Sequence, residues 1–135
     1  MKTLPDLDIL LVDDDPAILS ALRRGITRGW AQWGAEARVH LCTSPSTALG
    51  RLLTESVDIV IADYRMPEME GIETIQALRR KCPTIPIIAI SGGGRVEPKN
   101  YLSLAEQIGA NRTFAKPFRL DEILTAVREL TAKIT

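Results

Sequence analysis

Ile9-Leu10-Leu11-Val12-Asp13-Asp14-Asp15-Pro16 is the most informative segment of the chain, because four apolar residues are followed directly by three carboxylates and a proline. A continuous apolar run of this kind is typical of a parallel β-strand that is buried on both faces. Asp15 places a capping oxygen just before Pro16, which favours a helix beginning at the proline. The stretch therefore predicts a strand, a short acidic loop and a helix in immediate succession.

The same arrangement recurs along the chain. Later apolar runs lead into Asp63, into Ser91 and into Lys116. Amphipathic segments lie between these runs, which is typical of repeated strand–helix units. The segment 29–36, with its two tryptophans, could extend the first helix or form a loop, and the tryptophans are more consistent with a core plug than with a docking patch. We expect strands near 8–13, 37–42, 57–62, 86–91 and 112–116, and helices over 16–28, 46–54, 72–81, 99–108 and 120–133.

Five such units predict an α/β fold, a three-layer doubly wound (βα)5 sandwich with a parallel five-stranded sheet of order 2-1-3-4-5. In that order the first and third strands are neighbours, so Asp13, Asp14 and Asp63 should converge at the carboxyl edge of the sheet. At an effective dielectric near 20, each close pair of carboxylates costs about 4 kcal/mol at 4 Å, so a cation is needed to offset the repulsion. Hard oxygen ligands without imidazole or thiolate favour Mg²⁺.

Composition narrows the classes of protein that remain. The length of 135 residues suits one domain, so we expect residues 1–135 to form a single unit. The 17 basic and 17 acidic side chains cancel, which gives no support for direct binding to nucleic acid or to a membrane surface. The apolar runs are too short to cross a bilayer and the amino terminus is no signal peptide, so we expect a soluble, cytoplasmic protein. Cys42 and Cys82 lack the spacing of a disulfide framework or a zinc site.

The polar positions, taken in order, resemble the receiver domain of two-component response regulators over essentially the whole chain. The acidic pair is Asp13-Asp14, the phosphoacceptor position matches Asp63, the hydroxyl position is Ser91, and the lysine lies in Lys116-Pro117-Phe118. The segment 63–71, with its Met-Pro and its later glycine, resembles the family's stretch after the phosphoacceptor. The resemblance implies a flavodoxin-like fold.

The resemblance also implies a chemistry. Asp63 would take a phosphoryl group from a phosphohistidine on a histidine kinase or a histidine phosphotransfer protein. Mg²⁺ would be held by Asp13, by Asp14 through water, by Asp63 and by the backbone carbonyl of Arg65. Lys116 would supply a positive charge opposite the metal. Ser91 would bind a phosphoryl oxygen and change the surface around the fourth helix, the fifth strand and the fifth helix, where a downstream protein target would be engaged.

The resemblance also bears on an aromatic position and on the peptide bond before Pro117. The family commonly carries an aromatic residue three positions before the lysine, and Thr113 stands there in this chain. Strand alternation points the neighbouring Phe114 to the opposite face, so Tyr101 is the candidate substitute for that aromatic. The family generally has a cis peptide before the proline, which makes Lys116-Pro117 the candidate here.

Other functions stay open at this point. The run Asp13-Asp14-Asp15 also resembles the haloacid dehalogenase type of phosphohydrolase, in which Asp13 would be the nucleophile and Asp15 the acid. Against that function, Ala17 stands where a threonine or valine is expected and no late acidic pair follows Lys116. A receiver-like interaction module that is never phosphorylated is the third possibility. The sequence also leaves open whether the chain is a stand-alone receiver or a fragment of a larger regulator.

Overall fold

The computed structural model describes residues 5–63, 65–66, 69–91, 106, 109–115 and 118–132. In chain order its elements are β1 (Leu7–Val12), α1 (Pro16–Gln32), β2 (Ala37–Cys42), α2 (Pro45–Thr54), β3 (Ile59–Asp63), β4 (Arg65–Met66), β5 (Met69–Glu70), α3 (Gly71–Lys81), β6 (Ile87–Ser91), β7 (Arg112–Ala115) and α4 (Leu120–Thr131).

Five of the strands form one parallel sheet in the order β2-β1-β3-β6-β7. Counted among these five strands alone, the order is 2-1-3-4-5, so the predicted topology is confirmed. The direction in which successive strands are added to the sheet reverses at β1. Leu11 of β1 pairs with Leu41 of β2 on one side and with Ile61 of β3 on the other. The carboxyl ends of β1 and β3 are therefore neighbours.

The sheet is buried on both faces, as its continuous apolar runs predict. Ile9 and Leu11 of β1 pack into a core with α1 and α4, whereas Leu10 and Val12 pack into a second core with α2 and α3. All five residues of β3 are buried. Strands with apolar side chains on both faces need a helical layer on each side, which gives the three-layer sandwich.

Helices α1 and α4 approach closely because α1 presents two glycines to α4. A Cβ atom built on Gly25 would lie 2.5 Å from a Cδ atom of Leu120, and one built on Gly29 would lie 2.5 Å from a Cδ atom of Leu124. The two leucines fill the space that the missing side chains leave. This contact closes the α1 and α4 side of the core.

The first half of the segment 29–36 extends the first helix, and the second half forms the loop before β2. Helix α1 continues to Gln32, and Gly34 then adopts a left-handed φ of 84°. The amide of Gly34 donates to the carbonyl of Ala31 and that of Ala35 to the carbonyl of Trp30, which is the Schellman pattern of a helix end. Trp30 is fully buried, and its indole Nε1 donates to the carbonyl of Pro5 at 3.0 Å. The tryptophan therefore plugs the core at the end of the helix, as predicted.

Some elements differ from the prediction. A two-stranded antiparallel hairpin, β4 with β5, follows Asp63, and two-residue strands have too little periodicity to be read from sequence. Strand β3 begins at Ile59 rather than at residue 57. The predicted helix over 99–108 lies outside the described residues except for Glu106, which is helical. Among the described segments, no helix is both long and apolar enough to cross a membrane.

Candidate functional site

Three aspartates meet at the carboxyl edge of the sheet. Asp13 follows β1 and Asp63 ends β3, and the two strands pair at Val12 and Ala62. One carboxylate oxygen from each of Asp13, Asp14 and Asp63 lies within 4.8 Å of the others. The predicted convergence of these side chains is therefore found in the structure.

Burial differs among the three carboxylates. Asp13 is 3% exposed and Asp63 is 5% exposed, whereas Asp14 lies at the surface. Two of the carboxylates are thus buried and the third is exposed to solvent, and we call these three side chains the acidic pocket.

Backbone hydrogen bonds fix the first acidic loop. The amide of Asp13 donates to the carbonyl of Cys42 at 3.1 Å, which continues the pairing of β1 with β2 by one residue. The carboxylate of Asp13 accepts from the amide of Asp15 at 2.9 Å. Asp15 itself turns away and caps α1, because its carboxylate accepts from the amide of Ala17 at 2.9 Å. The acidic pair of the site is therefore Asp13 and Asp14, and Asp15 is the helix cap.

The donor set fits a hard divalent cation. Three like charges this close repel one another, and at an effective dielectric near 20 each pair at 4 Å costs about 4 kcal/mol. A cation offsets this repulsion, and carboxylate oxygens are the ligands that Mg²⁺ takes in proteins. Among the residues that the structure describes, this trio is the one group of three or more acidic, histidine or cysteine side chains with metal-binding spacing.

The remaining predicted site residues fall partly outside the described chain. Ser91 ends β6 one position beyond Ile90, the residue that pairs with Asp63, so its backbone reaches the same edge of the sheet. Arg65 begins β4 two residues after Asp63. Lys116 lies outside the described residues and directly follows Ala115, the last residue of β7. The segments with Gly92-Gly93-Gly94, Tyr101 and Pro117 also lie outside the described residues.

The position without an aromatic residue has a polar contact. Thr113 in β7 donates from its hydroxyl to Oε2 of Glu106 at 3.4 Å. Phe114 packs on the opposite face, against the core formed with α1 and α4, as strand alternation predicts. Sequence reasoning missed Glu106, because nothing in a lone glutamate near a helix end indicates a contact with a strand seven residues later.

The one histidine of the chain lies away from the acidic pocket. His40 Nε2 is 3.2 Å from Oδ1 of Asp8, and Arg38 donates to both oxygens of the same carboxylate. The hydrogen bond from Arg38 holds the pKa of Asp8 below its ordinary value of 3.8. Asp8 lies near the start of β1, about 17 Å of strand away from Asp13, so this cluster contributes structure rather than site chemistry.

Neither cysteine is part of the site. Cys42 and Cys82 are free thiols. Burial raises the pKa of the Cys42 thiol, which keeps it protonated and inert.

The similar curated proteins are bacterial response regulators and transcriptional regulatory proteins. The response regulator MprA of Mycolicibacterium vanbaalenii is 30% identical over 94% of this chain and 51% of its own length. The response regulator protein TodT of Pseudomonas putida is 34% identical over 89% of this chain and 49% of its own length. The transcriptional regulatory protein ZraR of Klebsiella oxytoca is 33% identical over 93% of this chain and 26% of its own length. The chain thus spans about half the length, or less, of these relatives.

Solved structures share the fold at low sequence identity. The Francisella response regulator 1452 receiver domain superposes with a TM-score of 0.82, at 21% identity, over 96% of this chain and 99% of that one. A Burkholderia pseudomallei response regulator with a phosphorylated aspartic acid, a calcium ion and citrate superposes with a TM-score of 0.76, at 21% identity, over 96% of this chain and 71% of that one. The model of the response regulator receiver domain family matches residues 9–128, and with the same fold and the acidic pocket in place, this chain belongs to that family.

Proposed function

We propose that this receiver domain is a phosphorylatable switch in which Asp63 accepts the phosphoryl group. The observation that carries the proposal is the position of Asp63. Its carboxylate is almost fully buried at the end of β3 and lies within 4.8 Å of two other carboxylates. A nucleophile at a strand end, beside a cation site, can attack a phosphorus atom whose oxygens are neutralised by the metal.

Mg²⁺ is the cofactor that this pocket fits. Asp13, Asp14 and Asp63 would hold it, together with the backbone carbonyl of Arg65. When bound, the ion supplies positive charge to the incoming phosphoryl oxygens. Because the amide of Asp15 holds one oxygen of Asp13, the carboxylate of Asp13 is oriented before any ligand arrives.

The transfer itself requires little from the protein beyond positioning. A carboxylate oxygen of Asp63 would form a bond to phosphorus as the bond from phosphorus to the donor's histidine nitrogen breaks, and the bonding electron pair leaves with the imidazole. Lys116 would stabilise the charge on the phosphoryl oxygens. Ser91 would donate a hydrogen bond to one of them after transfer, which draws its segment toward Asp63 and changes the surface of the last strand and its flanking helices.

The partners follow from this chemistry. The phosphoryl donor would be a histidine kinase or a histidine phosphotransfer protein, and the phosphorylated surface would engage a downstream protein target. We infer that residues 1–135 form one receiver unit that acts in the cytoplasm, as a signalling switch that promotes its own phosphorylation and dephosphorylation. We propose no direct contact with nucleic acid for this unit, because its basic and acidic side chains balance.

Phosphate labelling distinguishes the proposed switch from the alternatives. With acetyl phosphate and Mg²⁺, the parent chain should gain one acyl phosphate, which is detected as a mass increase and is removed by hydroxylamine. D63N should gain none. A dehalogenase-type hydrolase would instead lose its label in D13N and keep it in D63N. It would also need Asp15 as its acid, although Asp15 is engaged in capping α1. If the folded parent chain takes up no phosphate, the interaction module is the better description.

A further inference from the structure

Helix α1 presents a basic surface to solvent. Its 17 residues include three arginines and no acidic residue. Arg23, Arg24 and Arg28 are all exposed, and none of them makes an ion pair within the described part of the chain. Other arginines of the domain are used internally, as when Arg38 pairs with Asp8 and Arg112 with Glu129. We call the exposed side of α1 that carries these three side chains the arginine face.

A groove of opposite charge lies between β7 and α4. It has a volume of about 400 Å³, and Thr113, Phe114 and Ala126 are among the residues that line it. Its charged groups are four carboxylates and one guanidinium, that of Arg112. Nη2 of Arg112 lies 3.5 Å from Oε1 of Glu129. The groove is therefore acidic, through Glu106, Asp121, Glu122 and Glu129.

We propose that the arginine face of one molecule docks into the acidic groove of a second copy of the same chain. The arginine face has no acidic side chain, and the groove keeps an excess of carboxylates even though Arg112 pairs with Glu129 and Arg119 pairs with Asp121. The formal net charge of zero leaves no overall repulsion between copies. A single contact of this kind between two copies leads to open chains or rings, whereas two reciprocal contacts about a two-fold axis give a closed dimer.

The contact should depend strongly on salt. Its charges are exposed, so the attraction is screened once the Debye length falls from about 30 Å at 0.01 M salt to about 3 Å at 1 M. Association should be weak and should be visible at low ionic strength and high protein concentration. It needs neither Mg²⁺ nor a phosphoryl group, so it can be tested independently of the chemistry at Asp63.

Charge-reversal variants test the contact by sedimentation velocity of the unphosphorylated chain. The parent should associate at low salt at concentrations of about 1 mM, and R24E/R28E and E106K/E129K should each be monomeric. An equimolar mixture of the two variants should associate again, because the reversed face then meets a reversed groove. Circular dichroism of each variant establishes that it is folded.

A matched control separates this contact from the general attraction of oppositely charged proteins. Arg80 and Lys81 are exposed at the end of α3, and R80E/K81E changes the net charge as much as R24E/R28E does. R80E/K81E alone should associate like the parent. When it is mixed with E106K/E129K, its association should increase less than that of R24E/R28E in the same mixture. A parent that stays monomeric at low salt, or mixtures that associate equally with both arginine variants, would overturn the proposal.

Discussion

Asp13 and Asp15 lie two residues apart and have different roles, because their carboxylates accept hydrogen bonds from different backbone groups. The carboxylate of Asp13 accepts from the amide of Asp15 and stays in the pocket, whereas that of Asp15 accepts from the amide of Ala17 and caps α1. A helix N-terminus favours nearby negative charge, so the start of α1 also favours the acidic loop as a whole. The chain thus uses one acidic run both to begin a helix and to build a site.

The pairing of Asp8 with Arg38 makes stability depend on pH. The hydrogen bond from Arg38 lowers the pKa of Asp8 in the folded state from 3.8. A carboxyl group whose pKa is lower in the folded state than in the unfolded state stabilises the fold at pH values above its unfolded-state pKa. This stabilisation is lost as the pH falls through the pKa of the folded state. In R38M the contribution should be largely absent, although His40 still contacts Asp8.

The expected result is a loss of stability in R38M that is present at pH 6 and smaller at about pH 3. Urea denaturation of R38M and the parent across this range measures it. R24M is the control, because Arg24 makes no ion pair among the described residues and its removal should give no such pH dependence. A deficit in R38M that is constant with pH would show that packing of the arginine stem, rather than the charge, is responsible.

At the scale of elements, the glycines of α1 set how closely it packs on α4. Alanine in place of a helical glycine favours the helix by about 1 kcal/mol, but overpacking a tight contact costs about 1–3 kcal/mol. Which effect wins depends on whether the opposing leucine can move. Leu120 is 37% exposed and can swing toward solvent, whereas Leu124 is 8% exposed and is held in the core.

We therefore expect the two alanine variants to differ. G29A should lower the free energy of unfolding by about 1–2 kcal/mol, and G25A should change it by less than about 0.5 kcal/mol. Thermal and urea denaturation of the pair measure this difference, and each variant serves as the control for the other. Equal effects in the two variants would mean that the exposure of the opposing leucine does not decide the outcome.

Arg79 joins two loops at the edge of the sheet opposite the acidic pocket. Its Nη1 donates to the carbonyls of Cys82, Pro83 and Ile85, and its Nη2 donates to the carbonyl of Gly109 at 2.6 Å and to Oδ1 of Asn111 at 3.1 Å. Partial burial lowers the pKa of the guanidinium, and the surrounding acceptors compensate for the water it has lost. The loop after α3 and the turn before β7 are thus held by one side chain.

Replacing this guanidinium by an ammonium should be destabilising even though the charge is kept. Lysine is a compact point charge and cannot reach five acceptors on two loops at once. We expect R79K to lower the free energy of unfolding by about 2–3 kcal/mol, measured by urea denaturation. R80K, at the exposed neighbouring position, is the control and should behave like the parent. A parent-like R79K would mean that charge alone satisfies these carbonyls.

At the scale of the whole molecule, features that follow a general rule could be predicted from sequence. The sheet order and the meeting of Asp13, Asp14 and Asp63 follow from alternating strands and helices, because the carboxyl ends of parallel strands share one edge. The β4 and β5 hairpin could not be predicted, since two residues are too few for a pattern. The contacts of Arg79 and of Glu106 could not be predicted either, because a side chain that meets groups distant in sequence leaves no local signal.

The acidic pocket connects site chemistry to the stability of the whole fold. Asp13 and Asp14 follow β1 and Asp63 ends β3, so an ion bound between them links the ends of two neighbouring strands and stabilises the folded state over the unfolded one. Removing one of the three like charges should relieve their repulsion when no metal is present. D13N is the suitable change, because the asparagine oxygen can still accept from the amide of Asp15.

In EDTA we expect D13N to be more stable than the parent, by about 1–3 kcal/mol. Added Mg²⁺ should stabilise the parent by about 1.4 kcal/mol when its free concentration is tenfold above its Kd, and D13N by clearly less, so that the difference between the two narrows or reverses. Thermal denaturation with and without Mg²⁺ measures both effects. E129Q removes a carboxylate from α4 and should respond to Mg²⁺ like the parent. If Mg²⁺ stabilised D13N as much as the parent, the ion would be bound elsewhere and the three aspartates would not be its site.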